Sequence, residues 1–312
     1  MRLISLDYKA SRGYTAFIIL VALVIFAYSN PLPENNNKNT FIILHHAAAD
    51  SQIAARTAEI LYGAYKEIAY DLELLNQDSI HVLIAASRKE FRQLLEGKLP
   101  DWTGAFAVPG RRSIYLRSPR WHDPKQSFQS TAIHELVHVL IHDRVNHRPI
   151  PRWLDEGLAV FYSRENRMQT STAISKALAT GSLIPLNQVD DVLKFQRIKA
   201  ELAYQESYSA VYYLLTTYDL EALRIILDGL THGSSLDECF MQATGSTFIG
   251  FEQEWLGWIR KTHKGLWLTD INLYWLFILF LLPIVYIARK WHNHRTQKRW
   301  QEEELNNNSL EE

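Results

Sequence analysis

His134-Glu135-Leu136-Val137-His138 and, a few residues on, Pro151-Arg152-Trp153-Leu154-Asp155-Glu156-Gly157-Leu158-Ala159 are the stretches on which the reading of this chain turns. The first lies in a run from about Lys125 to His142 whose spacing predicts a helix, with Asp123-Pro124 as its cap and first turn. On a helix, positions i and i+4 project from one face, so the imidazoles of His134 and His138 can reach one metal ion. Glu135 is offset around the helix but close enough to contact a water on that ion. Pro151 is well placed to start a second helix, and Asp143 to Ile150 leave room for the turn. A catalytic zinc site usually has three protein ligands and an open position, so a third ligand is needed. His142 continues the same face but lies about 6 Å farther along the axis, too far to share the ion unless the helix breaks. A histidine six places past His138 would be another solution, but Arg144 stands there. Glu156, from a second and facing helix, is the preferred third ligand.

Upstream, short apolar runs alternate with helical spacing. Phe41 to Leu44 suits a strand. Asp50 to Leu74 carries Ile53, Ile60, Leu61, Tyr65, Ile68 and Leu72 at helical intervals, with Asp50 as a cap. Ser79 to Ala85 reads as a strand, Arg88 to Leu95 as a short helix, and Ser113 to Leu116 as a strand after the turn Pro109-Gly110. Arg111-Arg112 reads as a solvated part of that turn. From Pro124 onward helices dominate. The order implies an α+β fold: a small N-terminal mixed sheet with helices, then a mainly helical lobe, together spanning residues 40–262.

The ends of the chain read differently. Residues 14–29 and 268–288 are rich in apolar side chains, and a bilayer core of about 30 Å needs roughly 17–25 such residues as a helix. Two transmembrane helices flanking the domain are therefore expected, the first as a signal anchor. Arg2, Lys9 and Arg12 precede the first run, and Arg289, Lys290, Arg295, Lys298 and Arg299 follow the second. The positive-inside rule then puts residues 1–13 and the tail 289–312 in the cytoplasm of a cell membrane, with the central domain extracytoplasmic or periplasmic. Ala27-Tyr28-Ser29 also resembles a signal-peptidase site, which would export the same domain with one anchor fewer. Residues 30–39 are a Pro- and Asn-rich linker.

Composition excludes several classes. Lys+Arg 33 against Asp+Glu 34 leaves no excess positive charge for a phosphate backbone, so a nucleic-acid partner is not expected. A single cysteine, Cys239, excludes an intrachain disulfide and any thiolate metal cluster. Neither internal repeats nor heptads mark an oligomer, and the oligomeric state stays open.

HELVH followed by WLDEGLAVFY resembles the gluzincin metallopeptidases, above all the small peptidase MA-like domains, and is distantly similar to the M1 aminopeptidases. Their HExxH is followed by W-L-N-E-G; here Asp155 replaces the asparagine and the spacing is one residue shorter. Tyr204-Gln205-Glu206-Ser207-Tyr208 looks like the start of the family's tyrosine helix, and the resemblance carries the transition-state tyrosine onto Tyr204, with Tyr208 one turn later. It implies one Zn²⁺ per chain on His134, His138 and Glu156, Glu135 as general base, Tyr204 as an oxyanion donor, and a peptide or protein substrate. Asp155 is a candidate to hold one imidazole by its other nitrogen. Gly104 to Val108 is, by the same resemblance, a candidate for the edge strand that holds an extended peptide, with a plain surface hairpin as the alternative. The glutamate-bearing exopeptidase sequence G-A-M-E-N is absent, since Gly104-Ala105 runs into Phe106-Ala107-Val108. That favours an endopeptidase or a specialised substrate. Two other classes are open to the sequence: a catalytically inactive peptidase-like domain that recruits partners at the membrane, and an intramembrane metalloprotease, against which HELVH sits beside polar residues such as Gln129, Ser130 and Thr131 and far from both apolar runs.

Overall fold

The computed structural model describes residues 42–74, 78–95, 103–121, 127–164, 167–189, 197–263 and 273–308. All of them fall within the compact unit Phe41–Glu312. Strands β1 (Ile42–His46), β2 (Ile80–Ala85), β3 (Ala105–Val108) and β4 (Ser113–Arg117) form one mixed sheet in the order β1-β2-β4-β3. β1, β2 and β4 run parallel, and β3 pairs antiparallel on β4. Parallel neighbours need a crossover, and helix α1 (Ser51–Asp71) supplies it between β1 and β2. Its Leu61, Tyr65 and Ile68 are buried with Ile80, Val82 and Ile84 in the main core. On the other side of the sheet, α2 (Arg88–Leu95) sets Phe91 and Leu95 against Ala85, Leu83, Phe106 and Tyr115.

Within segment 104–108, β3 pairs antiparallel on β4 as a hairpin at the sheet's edge, with Val108 opposite Ser113 and Ala105 opposite Leu116. The turn between β3 and β4 needs a left-handed residue, and Arg112 takes it at φ 47°. Arg112 does not fit the expected solvated turn. Its guanidinium donates to the carbonyls of Asp78 at 2.7 Å and Ser79 at 3.3 Å and pairs with Asp143 on the helix that carries the HELVH motif. The side chain is turned inward, which residue type alone does not reveal.

That helix, α3, spans Phe128–Arg144, starting at Ser127, while the expected cap at Asp123-Pro124 lies outside the described residues. It buries Ala132, Leu136, Val137, Val139, Leu140 and Ile141. Helix α4 (Arg152–Ser163) follows with Pro151 at its N-cap. Then come α5 (Arg167–Thr180), α6 (Arg197–His232), α7 (Leu236–Thr244) and α8 (Phe248–Thr262). α6 is broken at Asp219, where φ 65° and ψ 177° leave the helical region. α4 lies between α3 and α6 and is buried from Trp153 to Val160. Gly157 explains how closely α6 approaches it: a Cβ there would stand 2.5 Å from the Ser207 carbonyl oxygen and 2.6 Å from Val211 Cγ2. The α+β order, the mixed sheet and the helical lobe are as the sequence implies.

The second of the two flanking membrane helices is not. The first expected span, 14–29, lies outside the described residues. The second falls on helix α9 (Leu273–Asn308), and among the described residues no helix is long and apolar enough to cross a membrane. On α9 the apolar run ends at Ala288, and the rest of the helix is mostly polar and charged. Pro283 interrupts that run, and Arg289 and Lys290 end it. The second span is thereby corrected, and the tether that rested on it is withdrawn.

Candidate metal centre

Helical spacing turns His134 and His138 to the same side of α3, with ring centroids 4.9 Å apart and ring planes at 72°. α4 packs against α3 and brings Glu156 to this face from just past its first turn. Glu156 Oε2 lies 3.4 Å from His134 Nε2 and 3.6 Å from His138 Nε2. The three ligand atoms lie within 4.8 Å of one another. Metal–ligand bonds of about 2.0–2.2 Å in a tetrahedron put neighbouring ligand atoms about 3.3–3.6 Å apart, so two nitrogens and one oxygen at these spacings fit zinc. Among the described residues no other group of three or more histidine, cysteine or acidic side chains converges in this way.

A second layer of contacts orients the ligands. Asp155 Oδ1 is 2.7 Å from His138 Nδ1, so the Nδ1 proton sits on the carboxylate side and Nε2 keeps its lone pair for a metal. This is the role for which the sequence nominated Asp155. His142 Nε2 stands 3.7 Å from Asp155 Oδ2, which places it beside the supporting carboxylate and outside the ligand trio. Helix rise alone predicts that separation.

The electrostatics follow from burial against charge. Burial would push Glu156 towards its neutral form, but His138, His134 and Arg152 outweigh it and hold the carboxyl below its ordinary range. Asp155 is likewise held well below its ordinary range: burial opposes ionisation, and His138, His142 and Arg152 overcome it. His138 is raised above the ordinary imidazole value, because Asp155 and Glu156 more than offset the burial that disfavours its cation.

Glu135 is buried on α3 next to His134. Tyr204, half-buried on α6, and Glu135 both lie close enough to the Arg152 guanidinium to favour its charged form. Burial is the largest influence on Arg152, but Glu156 and Asp155, then Tyr204 and Glu135, reverse it. Tyr208 is instead placed in an aromatic row, 6.5 Å from Phe161 and 6.1 Å from Tyr212 by ring centroids.

Arg152 is the residue that reading the sequence passed over. Its Nη2 donates to Glu156 Oε1 at 2.8 Å and its Nη1 lies 3.6 Å from Asp155 Oδ2. The signal was present, since i+3 and i+4 on a helix are neighbours and both are acidic here.

Residues 75–261, more than half of the chain, match the family described as the peptidase MA superfamily. The match takes in β2 to α8 and leaves β1 and α1 outside it. No curated protein matches the sequence.

Proposed function

From a chain that belongs to the peptidase MA superfamily, we propose a zinc-dependent metallopeptidase that hydrolyses peptide bonds with a glutamate general base. The observation that carries this reading is the convergence of His134, His138 and Glu156 from two helices at spacings suited to a tetrahedral ion. When bound, zinc supplies Lewis acidity, which makes water a usable nucleophile near neutral pH and polarises a peptide carbonyl. Glu135 accepts the proton of the attacking water and returns it to the leaving amine. The Tyr204 hydroxyl donates to the carbonyl oxygen as negative charge develops there. Asp155 keeps His138 in one tautomer and one orientation throughout. The edge strand β3, packed on α3, supports an extended substrate held by backbone hydrogen bonds along its free side.

The test measures metal content and hydrolysis of a mixed-sequence peptide library by the full chain and its variants. About one zinc per chain is expected in the wild type, lost in His138→Ala and Glu156→Ala. Glu135→Gln should keep the zinc and lose about 10²–10⁴-fold in rate. Zinc without hydrolysis of any peptide would leave an inactive binding domain. No zinc after reconstitution would overturn the reading altogether.

A further inference from the structure

The two oxygens of Glu156 face different partners. Oε2 is turned to the imidazoles, 3.4 Å from His134 Nε2 and 3.6 Å from His138 Nε2. Oε1 is turned away from them and accepts from Arg152 Nη2 at 2.8 Å. Arg152 also reaches Asp155, whose other oxygen holds His138, so one guanidinium spans the glutamate of the trio and the carboxylate that orients a histidine. The arrangement is local to one turn of α4, because Arg152, Asp155 and Glu156 are i, i+3 and i+4. Arg152 is one-third exposed, whereas Glu156 is 3 % exposed, so the charge-assisted bond to Oε1 is shielded from water at its acidic end.

We propose that Arg152 is a positioning residue that makes Glu156 a one-oxygen ligand, holding Oε1 so that Oε2 alone is offered to the metal. The inference rests on the metal site described above. A carboxylate offering both oxygens would add a fourth protein donor beside the position that a catalytic site keeps for water or substrate. An opposing effect has to be weighed: the guanidinium and a divalent ion are both positive, so charge alone makes Arg152 weaken metal binding. Positioning and charge therefore predict opposite changes when Arg152 is replaced. Loss of an oriented supporting contact lowers metal affinity by about 10–100-fold. Removal of a repelling cation raises it.

The experiment uses the full chain as wild type, Arg152→Met and Arg152→Lys, with zinc affinity read by chelator competition and coordination number by zinc X-ray absorption. Arg152→Met should bind zinc about 10-fold or more weakly, and its coordination number should rise by one as the second carboxylate oxygen enters. Arg152→Lys should restore most of both, because an ammonium at i still reaches a carboxylate at i+4. Unchanged coordination in Arg152→Met, or tighter zinc binding, overturns the proposal. Circular dichroism of the metal-free proteins reports folding. Should Arg152→Met fail to fold, Arg152→Gln, which keeps the stem and loses the charge, carries the same readouts. A wild type that binds no zinc removes the proposed function itself, while zinc bound identically in every variant removes this inference alone.

Discussion

α3 and α4 both serve the candidate centre, but they place their side chains by different physics. α3 offers His134 and His138 from one face, and their spacing comes from the helix itself, whatever surrounds it. α4 offers Glu156 from a helix buried on nearly every side, and its position comes from what packs around it. Trp153 stacks on Phe248 at 5.9 Å and Phe251 at 6.0 Å, and Gly157 admits the backbone of α6. A ligand pair held by local geometry tolerates loosening of the core. A ligand held by tertiary packing does not.

That contrast can be broken most forcefully at Trp153. Trp153→Ala removes a fully buried indole and should cost about 3–5 kcal/mol of stability in denaturant unfolding. Zinc affinity should fall with it, since Glu156 is three residues along the same helix. Equal affinity in a folded Trp153→Ala protein would show that α4 needs no packing to present its ligand.

Gly157→Ala strains the same helix from the other side. The added methyl meets backbone at Ser207, which cannot swing away, so a loss of about 1–3 kcal/mol is expected in thermal unfolding. The corresponding exposed glycine, Gly63 on α1, has open space at its Cβ, and Gly63→Ala should be neutral or slightly stabilising.

Asp155→Asn tests the link between the helices. The amide cannot hold the Nδ1 proton of His138 as a carboxylate does, and metal affinity should drop about 10–100-fold in a chelator titration. His142→Ala is its counterpart on α3. His142 only flanks Asp155, so a change under about 3-fold is expected. A larger loss there would return His142 to the ligand set.

Glu206 sharpens the comparison through pH. It is fully buried on α6 beside Ser207, accepts from the Ile184 amide at 3.1 Å, and is pushed up to about 8, with burial the main cause and the Ile184 bond a partial offset. The unfolded chain ionises this carboxyl near its ordinary value, so between there and about pH 8 the folded state binds more protons. Its contribution therefore falls as pH rises through that window. Glu206→Gln should flatten the fall, with a clearly larger gain in stability at pH 8 than at pH 5. A variant as pH-sensitive as the wild type would assign the effect elsewhere.

Most of the centre was legible in the sequence because its rules are local. An i, i+4 histidine pair, a proline that starts the next helix and a glutamate followed by glycine are readable from spacing and residue type alone. Strands β1, β2 and β4 were legible for the same reason, as short apolar runs between turn signals. The tertiary structure decided what no local rule contains. It set the strand order β1-β2-β4-β3, because pairing joins residues far apart in the chain. It turned Arg112 inward onto Asp143, because that pairing joins a turn and a helix 31 residues apart in the chain. Arg152 lies between the two cases: its spacing to Asp155 and Glu156 was visible, but only packing against α3 shows which oxygen of Glu156 it occupies and which it leaves to the histidines. The apolar run near the C-terminus shows the reverse hazard, since hydropathy reported composition over 268–288 and not the helix Leu273–Asn308 on which its described part lies.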